Sequence, residues 1–223
     1  NFATREENKA NVFTTAFRSL VISSVGLALP FILFASTIAS GLRFEDQVMY
    51  VIWSILIVST DAIAAIPFAR LRQENKAKRF AVIKLTNIFI NVALNLFFIG
   101  VCKNAYENNP DSIFALFYNP AIGIGYAFVA NLIANIITLM LLVPEMRPGI
   151  GSFDKELWKR MMVYALPLLV VGLAGMVNET LDRILIKYLQ TPVVGEFMQG
   201  VYGACYKISI LMTLFVMAFR YAA

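Results

Sequence analysis

The sequence predicts an all-α fold, a polytopic bundle of transmembrane helices. Hydrophobic residues make up 59% of the chain and charged residues 15%, whereas soluble domains contain about 45–50% apolar residues. The mean hydropathy is +0.71. The apolar residues fall into six runs, each reaching or exceeding the ~20 residues that an α-helix needs to cross a bilayer. So few charged residues could hardly cover a core of this richness in water, and lipid as the solvent removes that difficulty.

Six spans are predicted, separated by short segments that hold most of the charged residues. They are Leu20–Leu42, Val48–Ala69, Phe80–Val101, Ala121–Val143, Met161–Leu189 and Phe197–Phe219. The first and fourth contain no charged residue, and the fifth begins amphipathically. The sixth has the weakest hydropathy signal because Lys207 lies inside it. Between the third and fourth spans, a short surface helix is expected around Ile113–Tyr118.

The distribution of basic residues predicts how the spans are oriented. Most Lys and Arg residues lie before the first span, between the second and third spans, and between the fourth and fifth spans. Short loops rich in Lys and Arg stay in the cytoplasm, so both ends of the chain are expected to be cytoplasmic. The formal net charge is +5, but basic residues confined to such loops indicate membrane topology and argue against a nucleic-acid partner.

A polar stripe runs through the third predicted span. Lys84, Asn87, Asn91 and Asn95 recur at spacings of three and four residues, which places them on one face of a helix. Polar groups are costly in hydrocarbon, so this face is expected to line a protein interior or a wet cavity. Amides that donate and accept suit sugar hydroxyls, and a lysine suits phosphate. The other interpretation is hydrogen bonding between neighbouring helices.

Two further polar features lie near this stripe. Asn131 and Asn135 form a one-face pair on the fourth span, for which hydrogen bonding between helices is the favoured interpretation. Asp61 lies in the second span, and pairing with Lys84 would lower the cost of burying both charges. That pair is favoured over the alternative, in which Asp61 is a protonatable coupling group.

The fifth span carries charged residues near its end. Glu179 and Arg183 are four residues apart, as are Asn178 and Asp182, so the two pairs stack on adjoining faces of one helix. They either cap the span at the outer interface or form an outer gate whose pairs break and re-form. In the sixth span, Lys207 is a candidate cavity cation because no acidic residue of the same helix lies within four residues.

Residues suited to catalysis or metal binding are scarce. The chain contains no His and only two Cys residues, Cys102 and Cys205, which are far apart in the sequence. No motif of a nucleophilic hydrolase, a zinc site or a phosphate-binding loop is present. We therefore predict no catalytic residue, no metal and no cofactor. Gly123 and Gly125 are interpreted as helix-packing positions.

Three stretches resemble a known family in matching order. DAIAAIPFARLRQENKAKRFAVIKLTNIFINVALNLFF (Asp61–Phe98) resembles the fourth and fifth spans of O-antigen and capsule flippases. These proteins belong to the multidrug/oligosaccharidyl-lipid/polysaccharide exporter superfamily. LPLLVVGLAGMVNETLDRILIKYL (Leu166–Leu189) resembles their seventh span, and GVYGACYKISIL (Gly200–Leu211) resembles the start of the eighth.

The resemblance implies a transporter of 12–14 spans in two six-helix lobes. Residues 1–146 would form spans three to six of the first lobe, residues 147–160 a cytoplasmic interlobe linker, and residues 161–223 the first two spans of the second lobe. The chain begins with Asn1 rather than Met and stops just beyond an apolar run. It is therefore expected to be an internal fragment.

The implied activity is the flipping of an undecaprenyl-diphosphate-linked oligosaccharide across the bacterial inner membrane, for O-antigen lipopolysaccharide, capsule or exopolysaccharide synthesis. The implied partners are that glycolipid, membrane lipids and other polysaccharide-assembly proteins. Two alternatives stay open. One is an ion-coupled multidrug or cation exporter of the same superfamily that uses Asp61 as the coupling acid. The other is a membrane glycosyltransferase or polysaccharide polymerase.

Overall fold

The computed structural model describes residues 9–41, 47–108, 112–146 and 152–222, and every regular element among them is helical. The α-helices are α1 (Lys9–Leu33), α2 (Ala35–Gly41), α3 (Val48–Gln73), α4 (Ala77–Asn95), α5 (Lys103–Asn108), α6 (Tyr126–Leu141), α7 (Val143–Met146), α8 (Lys155–Leu189) and α9 (Pro192–Ala222). A π-helical segment, Leu96–Cys102, joins α4 to α5, and 3-10 helices cover Ile113–Phe117 and Gly123–Gly125. The predicted all-α class is confirmed.

Five helical stretches of the described chain are long and apolar enough to cross a membrane. They are Ala10–Leu33, Val48–Gln73, Ala77–Asn108, Gly123–Leu141 and Lys155–Leu189. Each overlaps one of the first five predicted spans. The sixth predicted span lies within α9, which is helical over 31 residues; its crossing of the membrane stays a prediction.

Several boundaries differ from the predicted ones, among them the starts of the first and fifth spans. Helix α1 begins at Lys9 rather than Leu20, so residues assigned to a loop are helical. The helix is interrupted at Phe34, one turn after Pro30, whose missing N–H removes an intrahelical hydrogen bond. Helix α8 begins at Lys155, inside the predicted linker 147–160. Residues 147–151 of that linker lie outside the described residues.

The chain divides into two compact units, residues 1–159 and 160–223. In unit 1, the most extensive helix contacts join α1 to α3, α3 to α6, and α6 to α4. Unit 2 consists of α9 and the part of α8 that begins at Arg160.

The best-packed part of unit 1 is the end at which α3 turns into α4. Its buried apolar residues come from α3, α4 and the junction of α6 with α7: Ala64, Phe68, Leu71, Ile83 and Leu142. Elsewhere many large apolar side chains of the spans are exposed, such as Ile22, Phe89 and Met140. That exposure is ordinary for helices that face lipid, because lipid tails are as apolar as the side chains.

The opposite end of unit 1 is held by aromatic side chains and a glycine. The Tyr50 hydroxyl donates a hydrogen bond to the Ile122 carbonyl oxygen at 2.7 Å. A Cβ atom on Gly125 would lie 2.6 Å from the side chains of both Tyr50 and Trp53, so this close approach requires glycine. The predicted packing role of Gly125 is confirmed.

The predicted surface helix after the third span is also confirmed, as the 3-10 helix Ile113–Phe117. One hydroxyl fastens its end. Tyr126 donates to the Phe117 carbonyl oxygen at 3.0 Å and accepts from the Asn119 N–H at 2.8 Å. Its ring also stacks on Phe98, with the centroids 4.9 Å apart. The surface helix is thereby fixed to the end of the span that precedes it.

The beginning of α8 is docked on α1, within unit 1. Three donors from this segment meet oxygen atoms spaced four residues apart along α1: Ser152 N with Asn11 Oδ1 at 2.9 Å, Asp154 N with Thr15 Oγ1 at 3.1 Å, and Trp158 Nε1 with Ser19 Oγ at 2.8 Å. Asp154 Oδ1 also accepts from the first N–H groups of α8, as an N-cap does. The start of α8 is therefore fixed by its hydrogen bonds to α1 and by the N-cap residue Asp154.

Candidate functional site

The residues of the polar stripe on α4 differ in the groups that they contact. At about 100° per residue, Lys84, Asn91 and Asn95 lie within about 40° of each other, and Asn87 is displaced by about 60° from Lys84. Lys84 is exposed, whereas the three asparagines are half-buried. This difference in direction brings Asn87 against α6.

Asn87 belongs to a hydrogen-bonded network that joins three helices. Its Nδ2 donates to Asn135 Oδ1 at 3.2 Å and to Thr138 Oγ1 at 2.9 Å, both on α6. Asn135 Nδ2 in turn reaches Thr60 Oγ1 of α3 at 3.5 Å. We call Thr60, Asn87, Asn135 and Thr138 the packing network.

The two residues of the packing network on α6 are buried, Thr60 and Asn87 are half-buried, and both hydroxyls are satisfied. Asn135 is 6% exposed and Thr138 is 5% exposed. Thr138 Oγ1 donates to the Ala134 carbonyl oxygen at 2.9 Å, and Thr60 Oγ1 donates to that of Ile57 at 2.8 Å. Amides and hydroxyls arranged in this way hold membrane helices together. The favoured interpretation of Asn135 therefore agrees with the structure, and it extends to Asn87.

Asn91 and Asn95 are bonded to each other. Asn95 Nδ2 donates to the backbone oxygen and to Oδ1 of Asn91, both at 2.8 Å. Within the described part of the chain, neither amide bonds to a neighbouring helix. The Asn91 amide N–H groups and the Asn95 amide oxygen therefore retain donor and acceptor capacity. We call these two residues the open amides.

Lys84 is held by an aromatic ring rather than by a carboxylate. Its Nζ lies 4.5 Å from the centre of the Phe68 ring of α3, within the range of a cation–π interaction. No ion pair among the described residues joins Lys84 to Asp61. Asp61 lies seven residues from Phe68, about 10 Å along α3, and its side chain is exposed. The expected Asp61–Lys84 pair is therefore not formed.

A change in helix type follows the stripe directly. The α-helical hydrogen bonding of α4 ends at Asn95, and the π-helical segment Leu96–Cys102 begins at the next residue. Segments of π-helix occur frequently at functional sites, where they alter the direction of the side chains that follow. The open amides thus lie immediately before a local irregularity of the helix.

The basic end of unit 1, where α3 turns into α4, contains a buried carboxylate that sequence reasoning missed. Glu145 is 5% exposed. Its Oε1 lies 2.8 Å from Arg79 Nε, and its Oε2 accepts from Arg79 Nη2 at 3.2 Å. Arg70 Nη1 donates to the Glu145 backbone oxygen at 3.0 Å. The only signal in the sequence is a lone acidic residue beside the fourth span, facing a basic loop.

A second carboxylate at this end is shared by two cations. Glu74 Oε1 lies 2.7 Å from Arg70 Nε, and Glu74 Oε2 lies 2.6 Å from Lys76 Nζ. Hydrogen bonds from Lys76 and then from Arg70 lower the pKa of Glu74 below its usual range. Three of the basic residues here, Arg70, Lys76 and Arg79, are therefore each paired with one of the two carboxylates.

In unit 2, the predicted gate residues meet two tyrosines. Tyr202 donates to Asp182 Oδ2 at 3.0 Å, and Tyr206 donates to the Glu179 carboxylate. The Arg183 guanidinium carbon lies 4.4 Å from the centre of the Tyr206 ring. The Glu179–Arg183 ion pair that their spacing suggested is not among the ion pairs of the described residues.

Tyr202 and Tyr206 were not predicted as site residues. The signal available was their spacing of four residues in α9, which matches acidic residues three apart in α8 when the two helices run antiparallel. Lys207 is exposed next to Tyr206, and no ion pair of the described residues includes it.

Clefts elsewhere in unit 1 are apolar and do not suit a sugar. One of about 370 Å³ lies between α1 and α3 and is lined by Leu27, Phe31, Val58 and several serines. The Ser54 and Ser59 hydroxyls there are bonded to carbonyl oxygens of their own helix, at 2.8 Å and 2.7 Å. Asn131 lines a neighbouring cleft with Ser54.

No protein family, curated protein or solved structure matches this chain.

Proposed function

We propose that this chain forms part of a membrane flippase that moves an undecaprenyl-diphosphate-linked oligosaccharide for surface-polysaccharide synthesis. The observation that carries the proposal is the division of the α4 stripe. Asn87 is used in helix packing, whereas Lys84 and the open amides are not bonded to acidic or amide groups of other helices among the described residues. Polar groups on a membrane-length helix that packing does not use favour a ligand or a wet cavity.

The chemistry of these groups suits the proposed cargo. A flippase makes no covalent bond, but it must replace water around sugar hydroxyls and around a diphosphate. The amides of Asn91 and Asn95 can both donate and accept, as sugar hydroxyls require. Lys84 supplies a compact positive charge for phosphate. Lys207 is a second candidate cation, in unit 2, on account of its exposure without an ion-pair partner.

The gate of this proposal lies in unit 2. Glu179 and Asp182 each accept one hydrogen bond from a tyrosine of α9. A tyrosine hydroxyl carries no net charge, so its bond to a carboxylate lacks the attraction between two full charges that an arginine pair would add. Pairs of this kind can form in one state of a rocking transporter and break in the other.

The test uses cells that make a surface polysaccharide through the complete protein. Lys84→Ala should reduce surface polysaccharide strongly while protein abundance is unchanged, and Lys84→Arg should restore part of it because the charge is kept. Lys103→Ala is the matched control, since Lys103 lies beyond the stripe and pairs with Glu107. Undiminished polysaccharide in the Lys84→Ala strain would refute the proposal.

The double variant Asp61→Asn with Lys84→Gln separates substrate binding from pairing. Because no ion pair joins the two side chains, neutralising Asp61 should not rescue the loss of Lys84. Rescue would assign Lys84 to a structural pair and remove it from the site.

A second candidate is an ion-coupled exporter of drugs or cations. The observation in its favour is Asp61, an exposed carboxylate on α3 that no ion pair of the described residues includes. A titratable acid in a membrane helix is suited to proton or cation coupling. Proton-driven drug efflux that Asp61→Asn abolishes, with unaltered surface polysaccharide, would decide for this candidate.

A further inference from the structure

We propose that the basic end of unit 1 binds the phosphate group of a lipid through Arg72 and Lys84. The proposal extends to a residue, Arg72, that the proposed transport function does not use. It does not require that the bound lipid be the transported one.

The basic residues at this end of unit 1 fall into two groups. Three basic residues form ion pairs with Glu74 or Glu145, as described above. Three others have no carboxylate within ion-pair distance among the described residues: Arg72, Lys78 and Lys84. Their charge is available to an external anion.

Arg72 and Lys84 each lie over an aromatic ring of the other residue's helix. Arg72 of α3 lies over the Phe80 ring of α4, with its Cζ 5.8 Å from the ring centre, and Lys84 of α4 lies over the Phe68 ring of α3 at 4.5 Å. The two rings meet edge to face, with their centroids 5.3 Å apart. Each helix therefore supplies one cation and the ring that holds the other helix's cation.

Each ring contact leaves its cation able to bind a ligand. A ring occupies one side of a cation by a cation–π interaction and leaves N–H donors on the other sides free. Phe68 belongs to the buried core cluster and Phe80 packs against it, so the rings are fixed. A fixed apolar floor also excludes water from one side, which strengthens the attraction between a cation and an anion above it.

The position favours a phosphate that is attached to a lipid. Arg72 lies in the last turn of α3, and Lys84 lies two turns inside α4. Val82 and Leu85, on either side of Lys84 in the sequence, are exposed apolar residues. Cations beside exposed apolar side chains at the end of a span match a ligand with a phosphate head and a hydrocarbon chain. The guanidinium of Arg72 can bind phosphate oxygens in a bidentate manner.

The experiment measures lipid binding by the purified protein in detergent. The probes are dioctanoyl phosphatidate, farnesyl diphosphate, inorganic pyrophosphate and dioctanoyl phosphatidylcholine. Arg72→Gln and Lys84→Gln should each raise the Kd for dioctanoyl phosphatidate about tenfold, since each removes one charge-assisted contact. Lys78→Gln is the matched control, because Lys78 has the same charge in the same segment but no cation–π contact with a described ring. Its Kd should change less than about twofold.

The contribution of the aromatic rings is tested separately from that of the positive charges. Phe80→Leu keeps every cation but removes the ring below Arg72, and it should raise the Kd about threefold. Circular dichroism and thermal unfolding establish that each variant is folded. Arg72→Lys, which keeps the charge and loses the fork, should recover part of the affinity if Arg72→Gln proves unstable.

The outcomes separate the sources of the phosphate. If farnesyl diphosphate binds more tightly than dioctanoyl phosphatidate, the site is assigned to a diphosphate-linked cargo. If the two probes bind equally tightly, the site is assigned to bilayer lipids. Both outcomes support the proposal. Equal loss in Lys78→Gln and Arg72→Gln, or equally tight binding of phosphatidylcholine or of inorganic pyrophosphate, overturns it. If the protein binds the lipid but Lys84→Ala leaves surface polysaccharide unchanged, only the transport function is refuted. Binding that ignores Arg72, alongside transport that needs Lys84, refutes only this inference.

Discussion

Asn87 and Asn91 lie one turn apart on α4, yet only one of them holds the protein together. Asn87 bonds to two side chains of α6, whereas Asn91 bonds to Asn95 of its own helix. The directions of their side chains differ by about 40° around the helix axis, which is enough to move a side chain from a helix interface to its edge. Polar residues of a membrane helix therefore divide into a structural group and an available group, and the following variants test that division.

The largest loss of stability is expected when the buried carboxylate of Glu145 is removed. Glu145→Ala should lower the free energy of unfolding by about 2–3 kcal/mol, because Arg79 loses the buried carboxylate with which it pairs. This is below the value for a fully buried pair, since Arg79 is exposed on one side. Unfolding by SDS titration measures it. Glu107→Ala, which removes an exposed pair with Lys103, is the control and should cost less than about 0.5 kcal/mol. Equal costs would contradict the assignment.

A smaller loss is expected from the packing network. Asn135→Ala leaves Asn87 and Thr60 without their shared partner and should lower the free energy of unfolding by about 1 kcal/mol. Asn131→Ala, one turn earlier on the same helix and facing a cleft, is the control, with an expected change below about 0.5 kcal/mol. A reversed order of the two variants would mean that the network does not stabilise the helix bundle.

The open amides should behave in the opposite way. Asn91→Ala removes one hydrogen bond and Asn95→Ala removes two, all within α4, so the free energy of unfolding should change by less than about 0.5 kcal/mol in each variant. Under the proposed flippase function, surface polysaccharide should nevertheless fall, about fivefold for each hydrogen bond lost to the proposed glycolipid. The decisive comparison is with Asn135→Ala at equal protein abundance. A stability loss in Asn91→Ala without a transport defect would place Asn91 in the structural group.

The smallest effect concerns pH. Bonds from Lys76 and Arg70 lower the pKa of Glu74 in the folded protein, so their stabilisation is fully present above the unfolded pKa and disappears as pH falls through the folded pKa. Stability should therefore decrease below about pH 4, and by less in Glu74→Gln than in the original protein. The difference should be slight because the Glu74 side chain is 33% exposed and solvent screens it. Identical acid profiles would show that these ion pairs do not stabilise the turn.

Features that depend on local sequence were predictable, and those that depend on distant partners were not. Hydropathy located the start of α3 at Val48 and the surface helix near Ile113, because length and periodicity are local properties. The pairing of Arg79 with Glu145 joins residues 66 positions apart. No helical period indicates which acidic residue will reach which basic one.

Lys84 illustrates why the candidate site was only partly predictable. Asp61 and Phe68 lie on one face of α3, two turns apart, so either could have met a cation from α4. The relative depth of the two helices selects Phe68. That depth is set by the packing of Phe68, Leu71 and Ile83, which a search for charged partners in the sequence does not consider. The tyrosine partners of Glu179 and Asp182 were missed for the same reason.

The docking of α8 on α1 also orders events during biosynthesis. Asn11 and Thr15 of α1 leave the ribosome about 140 residues before their donors, since the bonds join positions 141 and 139 apart. At a synthesis rate of about 5–20 residues per second, these two acceptors wait on the order of ten seconds before Ser152 and Asp154 arrive. The first unit is therefore completed by residues that begin the next helix. A nascent chain arrested before residue 152 presents an unfinished surface on α1, which a membrane protease or chaperone can distinguish from the assembled one.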